Sequence, residues 1–335
     1  MTAHLEDFKQ VLADKENTDD YVNLKYGRVK RIIEACEFQS FGDITASQVQ
    51  RHLSTLRTGE QKISCQTYNF YVQAIQQFCR WMVEERRASE NPVAHISGLN
   101  VKRDRRHDRR CLSVEDLRAL LSSTEAAKMS YGMTGAERSL LYRVAVETGL
   151  RLSELGSLTA ASFILDEKPR VTVAAGYSKN GAEATLPVRP ETAKMLRQHL
   201  ASRLPNAKAF NMPVKTNVSK MMKIDVEAAG LKFVTEANGG KMFADFHSLR
   251  HTFISNLARS GVHPKVAQDL ARHSDINLTM SRYPHGDGNP SGSRGNATEF
   301  GCAGSDRAKS HGNGQRCLTG RLTGIGQIGK DYGGL

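Results

Sequence analysis

The stretch YNFYVQAIQQFCRWMVEERR, residues 68–87, carries apolar side chains at helical spacing along its whole length and is followed closely by Asn91-Pro92. A proline disfavours helix at the residue before it, so the core this helix serves must close within about the first hundred residues. The same periodicity puts Val22, Tyr26, Val29, Ile32 and Ile33 on one face of 19–36. Thr45 or Ser47 is placed to cap a further helix through Leu56. Phe70, Tyr71, Phe78 and Trp81 read as packing of a small helical core rather than as a base-stacking or cofactor face. The expectation is an all-helical domain over residues 1–100.

Directly after it comes VKRDRRHDRR, residues 101–110. Lys and Arg against Asp and Glu number 12 to 13 in residues 1–100, 6 to 2 in 101–110 and 23 to 16 in 111–285, so the net +12 collects in the short segment and the domain after it. A charge run is ordinarily a solvated linker. Between two compact pieces of a basic protein it also suits a phosphate backbone, where each neutralised phosphate releases counterions. Lys102, Arg103, Arg105, Arg106, Arg109 and Arg110 are therefore candidate DNA contacts in a basic interdomain linker.

Residues 111–285 mix periods. Ser113 with Asp116 three positions on marks a helix start, and ERSLLYRVAVETG (137–149) reads as a helix stopped by Gly149. ASFILD, PRVTVAAGY and ATLPV are β-branched or alternating, with KNG (179–181) as a hairpin turn. Helices return at PETAKMLRQHL, SKMMKIDVEAAG, HSLRHTFISNLARSG and PKVAQDLARH. The chain as a whole reads as mainly α with a small antiparallel β-sheet set early in its second domain. Beyond it, residues 286–335 hold 14 of the 28 glycines and no periodicity, which predicts a disordered tail.

No apolar run approaches the roughly 18–20 residues of a membrane span, and MTAHLEDFKQ is unlike a secretion signal, so the expectation is a cytoplasmic protein without a membrane partner. The six cysteines are scattered without CxxC or Cys/His spacing and read as reduced thiols.

The chemistry-bearing residues gather in the second domain. His247 and Arg250 are three apart on a helix and share a face, a pairing suited to phosphate oxygens. Arg151 stands at a helix-to-helix turn with Glu154 in local reach to orient it. Lys179 sits at the hairpin tip, and His273 and Tyr283 close the domain. Each alone has a bland reading as a surface or capping residue. Together they form the order R…K…HxxR…H…Y, a metal-free set for phosphoryl transfer. A two-metal nuclease needs clustered carboxylates instead, and these stretches offer only the separated Glu154, Asp269 and Asp275. No metal and no cofactor are expected.

Through TGLRLSEL, YSKNG, HSLRHTF and HSDINLTMSRY the chain resembles the tyrosine recombinase, or phage integrase, family over residues from roughly 5 to 285. The resemblance implies a helical N-terminal core-binding domain (1–100), the linker (101–110), an α+β catalytic domain (111–285) and the tail. It implies site-specific cutting and rejoining of double-stranded DNA by a homo-oligomer, a tetramer in the synaptic complex, in the nucleoid-associated cytoplasm of a bacterium. By position, Tyr283 would attack phosphorus to leave a 3′-phosphotyrosyl bond, with Arg151 and Arg250 on the non-bridging oxygens. Lys179 would be the general acid for the 5′-oxygen, His247 would assist proton transfer, and His273 would bond the phosphate.

Two departures stand out. The family commonly has Gly where Arg272 stands, so either a left-handed backbone strains an arginine there or Arg272 is a further phosphate contact. The tail also lacks the short docking helix the family often carries after its tyrosine. A type IB topoisomerase-like relaxing activity shares the same chemistry, and a non-catalytic DNA-binding protein of this fold is the third reading. All six chemical positions being polar disfavours the last, and the helical domain with its basic linker leans toward recombinase.

Overall fold

The computed structural model describes residues 1–60, 62–177, 181–237 and 240–281. The predicted tail, 286–335, lies outside them. Two compact units divide between His107 and Asp108.

In the first unit, α1 (Thr2–Asp14), α2 (Asp19–Ala35), α3 (Ala46–Thr58) and α4 (Cys65–Glu84) surround one core. Thr18, Thr45 and Ser64 each accept a backbone N–H at the start of the helix they cap. Phe8, Phe78 and Trp81 pack at its centre, the Phe8 and Phe78 rings edge-to-face at 5.4 Å. Phe70 corrects the expected core: it is 37% exposed, with the Arg28 guanidinium 4.9 Å from its ring centroid. Adjacent helical residues point about 100° apart, so Tyr71 takes the inward face and Phe70 cannot share it. The first part of the basic segment belongs to this unit. Asp104 accepts the Cys65 N–H at 2.8 Å and pairs with Arg106, whose guanidinium also bonds the carbonyls of Lys62 and Ile63.

The second unit runs β1 (Asp108–Arg109), α5 (Val114–Glu125), α6 (Gly135–Thr148), α7 (Leu152–Ser157), β2 (Phe163–Ile164), β3 (Arg170–Val173) and β4 (Ala184–Pro187). It continues with α8 (Pro190–Leu200), α9 (Lys215–Ala228), β5 (Val234–Ala237), β6 (Gly240–Phe243), α10 (Phe246–Arg259), α11 (Pro264–Ala271) and α12 (Ile276–Met280). Strands β2–β3–β4 form the expected antiparallel sheet, with Val171 opposite Leu186. A second three-stranded sheet, β1–β6–β5, was not expected. Its hairpin strands VTEA and GKMF are largely exposed and lack apolar alternation, and β1 is drawn from the basic segment, pairing parallel to β6 with Asp108 beside Met242. A two-residue strand made of charged side chains carries no periodicity to read.

Helices α6 and α9 are locked by a buried ion pair. Arg138 and Asp225, 1% and 2% exposed, join through Nε–Oδ2 at 2.9 Å and Nη2–Oδ1 at 3.0 Å, and the Tyr142 hydroxyl donates to Oδ2 at 2.7 Å. Arg138 Nη1 bonds the Lys128 and Met133 carbonyls, so the buried charge meets both its counter-ion and two backbone acceptors.

Candidate active site

Helices α6 and α11 both end in left-handed residues, Gly149 (φ 61°) and Arg272 (φ 52°), and their terminal carbonyls converge on α10. The last carbonyls of a helix have no intrahelical partner and carry the negative end of its dipole. Arg250 satisfies two of them: Nη1 bonds the Gly149 carbonyl and Nη2 the Ala271 carbonyl, with Arg250 buried. Arg151, at the N-cap of α7, donates Nη2–H to the Arg272 carbonyl at 3.3 Å.

Gly149 is needed on two counts. Its backbone is left-handed, and a Cβ there would lie 2.3 Å from Cδ1 of Phe253, on the same helix as Arg250.

Glu154 is the hub behind Arg151. Wholly buried, it accepts the Arg151 backbone N–H at 2.7 Å, Arg151 Nη1 at 2.9 Å and Arg272 Nη2 at 2.8 Å. Burial alone would push its carboxyl up, but the Arg151 N–H and the two guanidinium groups outweigh it and hold the carboxyl below its usual range.

A cavity of about 210 Å³ opens in front of these arginines, lined by Arg151, His247, Arg250, His251, Ile254, His273, Leu278 and Ser281. His247 is pushed down to about 4, first by burial and then by Arg109 and Arg250, with Asp245 opposing. His273 is also pushed down to about 4, by burial and then by Arg250 and Arg151. Burial, then Arg151 and Arg272, lower Arg250 to about 9, so it stays charged at neutral pH. The cavity thus presents charged guanidinium groups and, at neutral pH, the uncharged imidazoles of His247 and His273.

Arg151, His247, Arg250 and His273 surround one cavity, then, with Glu154 behind. Lys179 and Tyr283 lie outside the described residues; Ser281, two positions before Tyr283 in the sequence, lines the cavity. The basic-segment candidates separate. Lys102 and Arg103 are exposed on a 3-10 turn, Arg105 is exposed, and Arg106 is engaged as described, all in the first unit. In the second unit Arg109 grips both oxygens of Asp245, the N-cap of α10, at 2.9 and 3.0 Å, and Arg110 lies 3.4 Å from Asp116. The sequence reading missed Thr279, whose hydroxyl is 2.9 Å from His273 Nδ1, and Asp245, because each acts through a fold-dependent contact. Among the described residues no group of three His, Cys, Asp or Glu side chains is arranged to hold a metal.

The phage integrase family model matches residues 110–289, more than half of the chain. The chain belongs to this family. Curated relatives of the chain include a tyrosine recombinase of Pseudothermotoga lettingae, 26% identical over 246 residues, covering 72% of this chain and 78% of the relative. Tyrosine recombinase XerD of Rhizobium meliloti is 27% identical over 248 residues, covering 72% and 76%. In fold, the chain is similar to a lambda integrase (residues 75–356) crystallised as a dimer bound to a COC′ core site. That likeness has TM-score 0.67 at 19% identity and covers 86% of this chain and 97% of that one. XerH site-specific recombinase bound to a palindromic difH substrate matches with TM-score 0.61 at 20% identity, covering 79% and 76%. The chain is accordingly a DNA-cleaving and rejoining enzyme, a site-specific recombinase, and neither the relaxing nor the non-catalytic alternative is favoured. Among the described residues no helix is long and apolar enough to cross a membrane.

Proposed function

We propose that the cavity binds the scissile phosphate of double-stranded DNA and that Tyr283 is the nucleophile. The observation that carries this reading is the convergence of Arg151 and Arg250 on one cavity with His247 and His273, at a wall formed partly by Ser281. Two guanidinium groups, each pre-aimed by carbonyls or a carboxylate, suit two non-bridging oxygens and need little reorganisation as charge builds on them.

In the step proposed, the Tyr283 phenolic oxygen bonds to phosphorus and the bond from phosphorus to the 5′-oxygen breaks. Lys179 gives that oxygen its proton, leaving a 3′-phosphotyrosyl link and a free 5′-hydroxyl. A free phenol titrates near about 10, so the proton must be drawn off, and neighbouring positive charge favours the phenolate. His247, held down to about 4 by burial and the neighbouring arginines, is by itself a weak base. A phosphodiester set among the arginines cancels part of the field that depresses it, so the substrate itself raises the base. The Thr279 hydroxyl lies 2.9 Å from Nδ1 of His273; with that hydroxyl as the donor, the proton of the neutral ring sits on Nε2, ready for a phosphate oxygen. Because the covalent link conserves the phosphodiester, a second strand's hydroxyl reseals it without ATP.

The wider assignment is a recombinase acting as a tetramer on two duplexes in a bacterial cytoplasm, at the nucleoid. The helical unit serves as the core-binding domain, with Lys102, Arg103 and Arg105 on the DNA backbone. The test uses a nicked duplex taken from the flanks of the genetic element that encodes the chain. The wild-type chain should give a denaturation-resistant, protease-sensitive DNA adduct. Tyr283→Phe should bind that duplex with wild-type affinity and give none; an adduct in that variant would refute the nucleophile assignment.

A further inference from the structure

Arg272 combines features that an ordinary helix-ending residue does not need. Its backbone is left-handed, which glycine or asparagine adopts more readily than arginine. Its side chain, only 9% exposed, turns inward to donate Nη2–H to Glu154 Oε2. Its carbonyl accepts from Arg151, and the next residue is His273, which also lines the cavity. An arginine held in a strained conformation with a desolvated guanidinium persists only where its surroundings fix it.

Charge counting indicates what those surroundings gain. Glu154 uses Oε1 for the Arg151 guanidinium and Oε2 for the Arg151 N–H and Arg272. With one guanidinium, Glu154 would form a neutral pair and spend the charge of Arg151 on orientation. With two, the cluster keeps a net positive charge while Arg151 is still held on both sides, by the carboxylate and by the Arg272 carbonyl.

We infer that Arg272 is a positioning residue that divides the Glu154 carboxylate, so that Arg151 is aimed at the cavity without being neutralised and the site takes a tetrahedral oxyanion more tightly. This rests on the reading of the cavity as a phosphate site. The groups facing His273 are Arg250 and His247 from α10, Arg151 from α7 and Arg272 beside it. Losing one of these charges raises the titration of its imidazole.

The test is a histidine NMR titration of the full chain with sulfate, which stays a dianion throughout the range. Arg272→Gly removes the guanidinium and suits the left-handed backbone, so the fold is retained. The expected outcome is roughly tenfold weaker sulfate binding, the weight of one charge-assisted contact, together with a rise in the His273 pKa. Arg272→Asn, which also tolerates that backbone, should match Arg272→Gly. Arg272→Lys, which returns the charge without the fork, should recover most of the imidazole shift and only part of the affinity. Unchanged sulfate affinity with an unchanged His273 pKa in Arg272→Gly and Arg272→Asn would overturn the inference. So would full loss of both readouts in Arg272→Lys. The titration needs no DNA cleavage: a wild-type chain that binds sulfate as described yet forms no DNA adduct sinks the recombinase step alone.

Discussion

Replacing Gly149 by alanine tests the joint that holds the two arginines. The substitution carries two separable costs. A side chain at φ 61° occupies the left-handed region, at about 1–2 kcal/mol for an L-residue. The new Cβ would also lie 2.3 Å from Cδ1, 2.8 Å from Cε1 and 3.0 Å from Cγ of Phe253. Ordinary carbon–carbon contacts lie near about 3.5–4.0 Å, so the ring must move by more than an ångström, and overpacking of that kind costs about 1–3 kcal/mol. The expected loss is about 2–5 kcal/mol, a large part of a domain's usual margin.

Urea unfolding of the full chain measures it with a built-in control. The single tryptophan, Trp81, is in the core of the helical unit, so its fluorescence reports that unit. Far-UV circular dichroism should show the second unit's transition moving to lower urea while the Trp81 transition stays in place. Phe253→Leu separates the terms: in that background Gly149→Ala should cost only the left-handed part, about 1–2 kcal/mol. A single-variant loss under about 1 kcal/mol, or no relief from Phe253→Leu, refutes the packing account.

Asp225→Asn removes the charge facing buried Arg138 while nearly keeping shape, and should cost about 3–5 kcal/mol in the same unfolding assay, because a desolvated guanidinium is left without its counter-ion. His247 and His273 titrate near about 4 in the folded chain, below the roughly 6.5 of an unfolded histidine, so between those values the unfolded state binds more protons. Their contribution to stability is therefore complete above about pH 6.5 and is lost as pH falls toward about 4, which a series of melts from pH 4 to 8 reads directly. Histidine resonances titrating near the unfolded value in the free chain would remove the basis for that slope.

How much of the site is legible in the sequence depends on how far each signal travels along the chain. Glu154 is three positions from Arg151, so its local reach made it visible before any fold was known, and the structure adds that it caps the start of α7. His247 and Arg250 declare their shared face by helical spacing alone. Asp225 lies 87 positions from Arg138, and Asp245 lies 136 from Arg109; such pairs exist only after the helices pack. The β1–β6 pairing is of the same kind, joining two charged residues of the basic segment to a strand near residue 242. Arg272 was visible as an anomaly, yet the two readings it allowed were exclusive as posed. The structure gives it the left-handed backbone of the first together with a carboxylate partner in Glu154.

The arrangement of the arginines is set by where helices end. Each helix terminus leaves carbonyls that water or side chains must satisfy, and a terminus buried in the second unit has little water to use. Here the ends of α6 and α11 meet, and the donors that satisfy them are Arg250 and Arg151. Those bonds stabilise the helix ends and fix the directions of the guanidinium groups before any DNA arrives, so the same contacts serve folding and preorganisation. An Arg250→Lys change, keeping charge but losing the planar fork, leaves at least one carbonyl unsatisfied. It should therefore impair the fold and the site together, whereas a residue that served the phosphate alone would impair only the site.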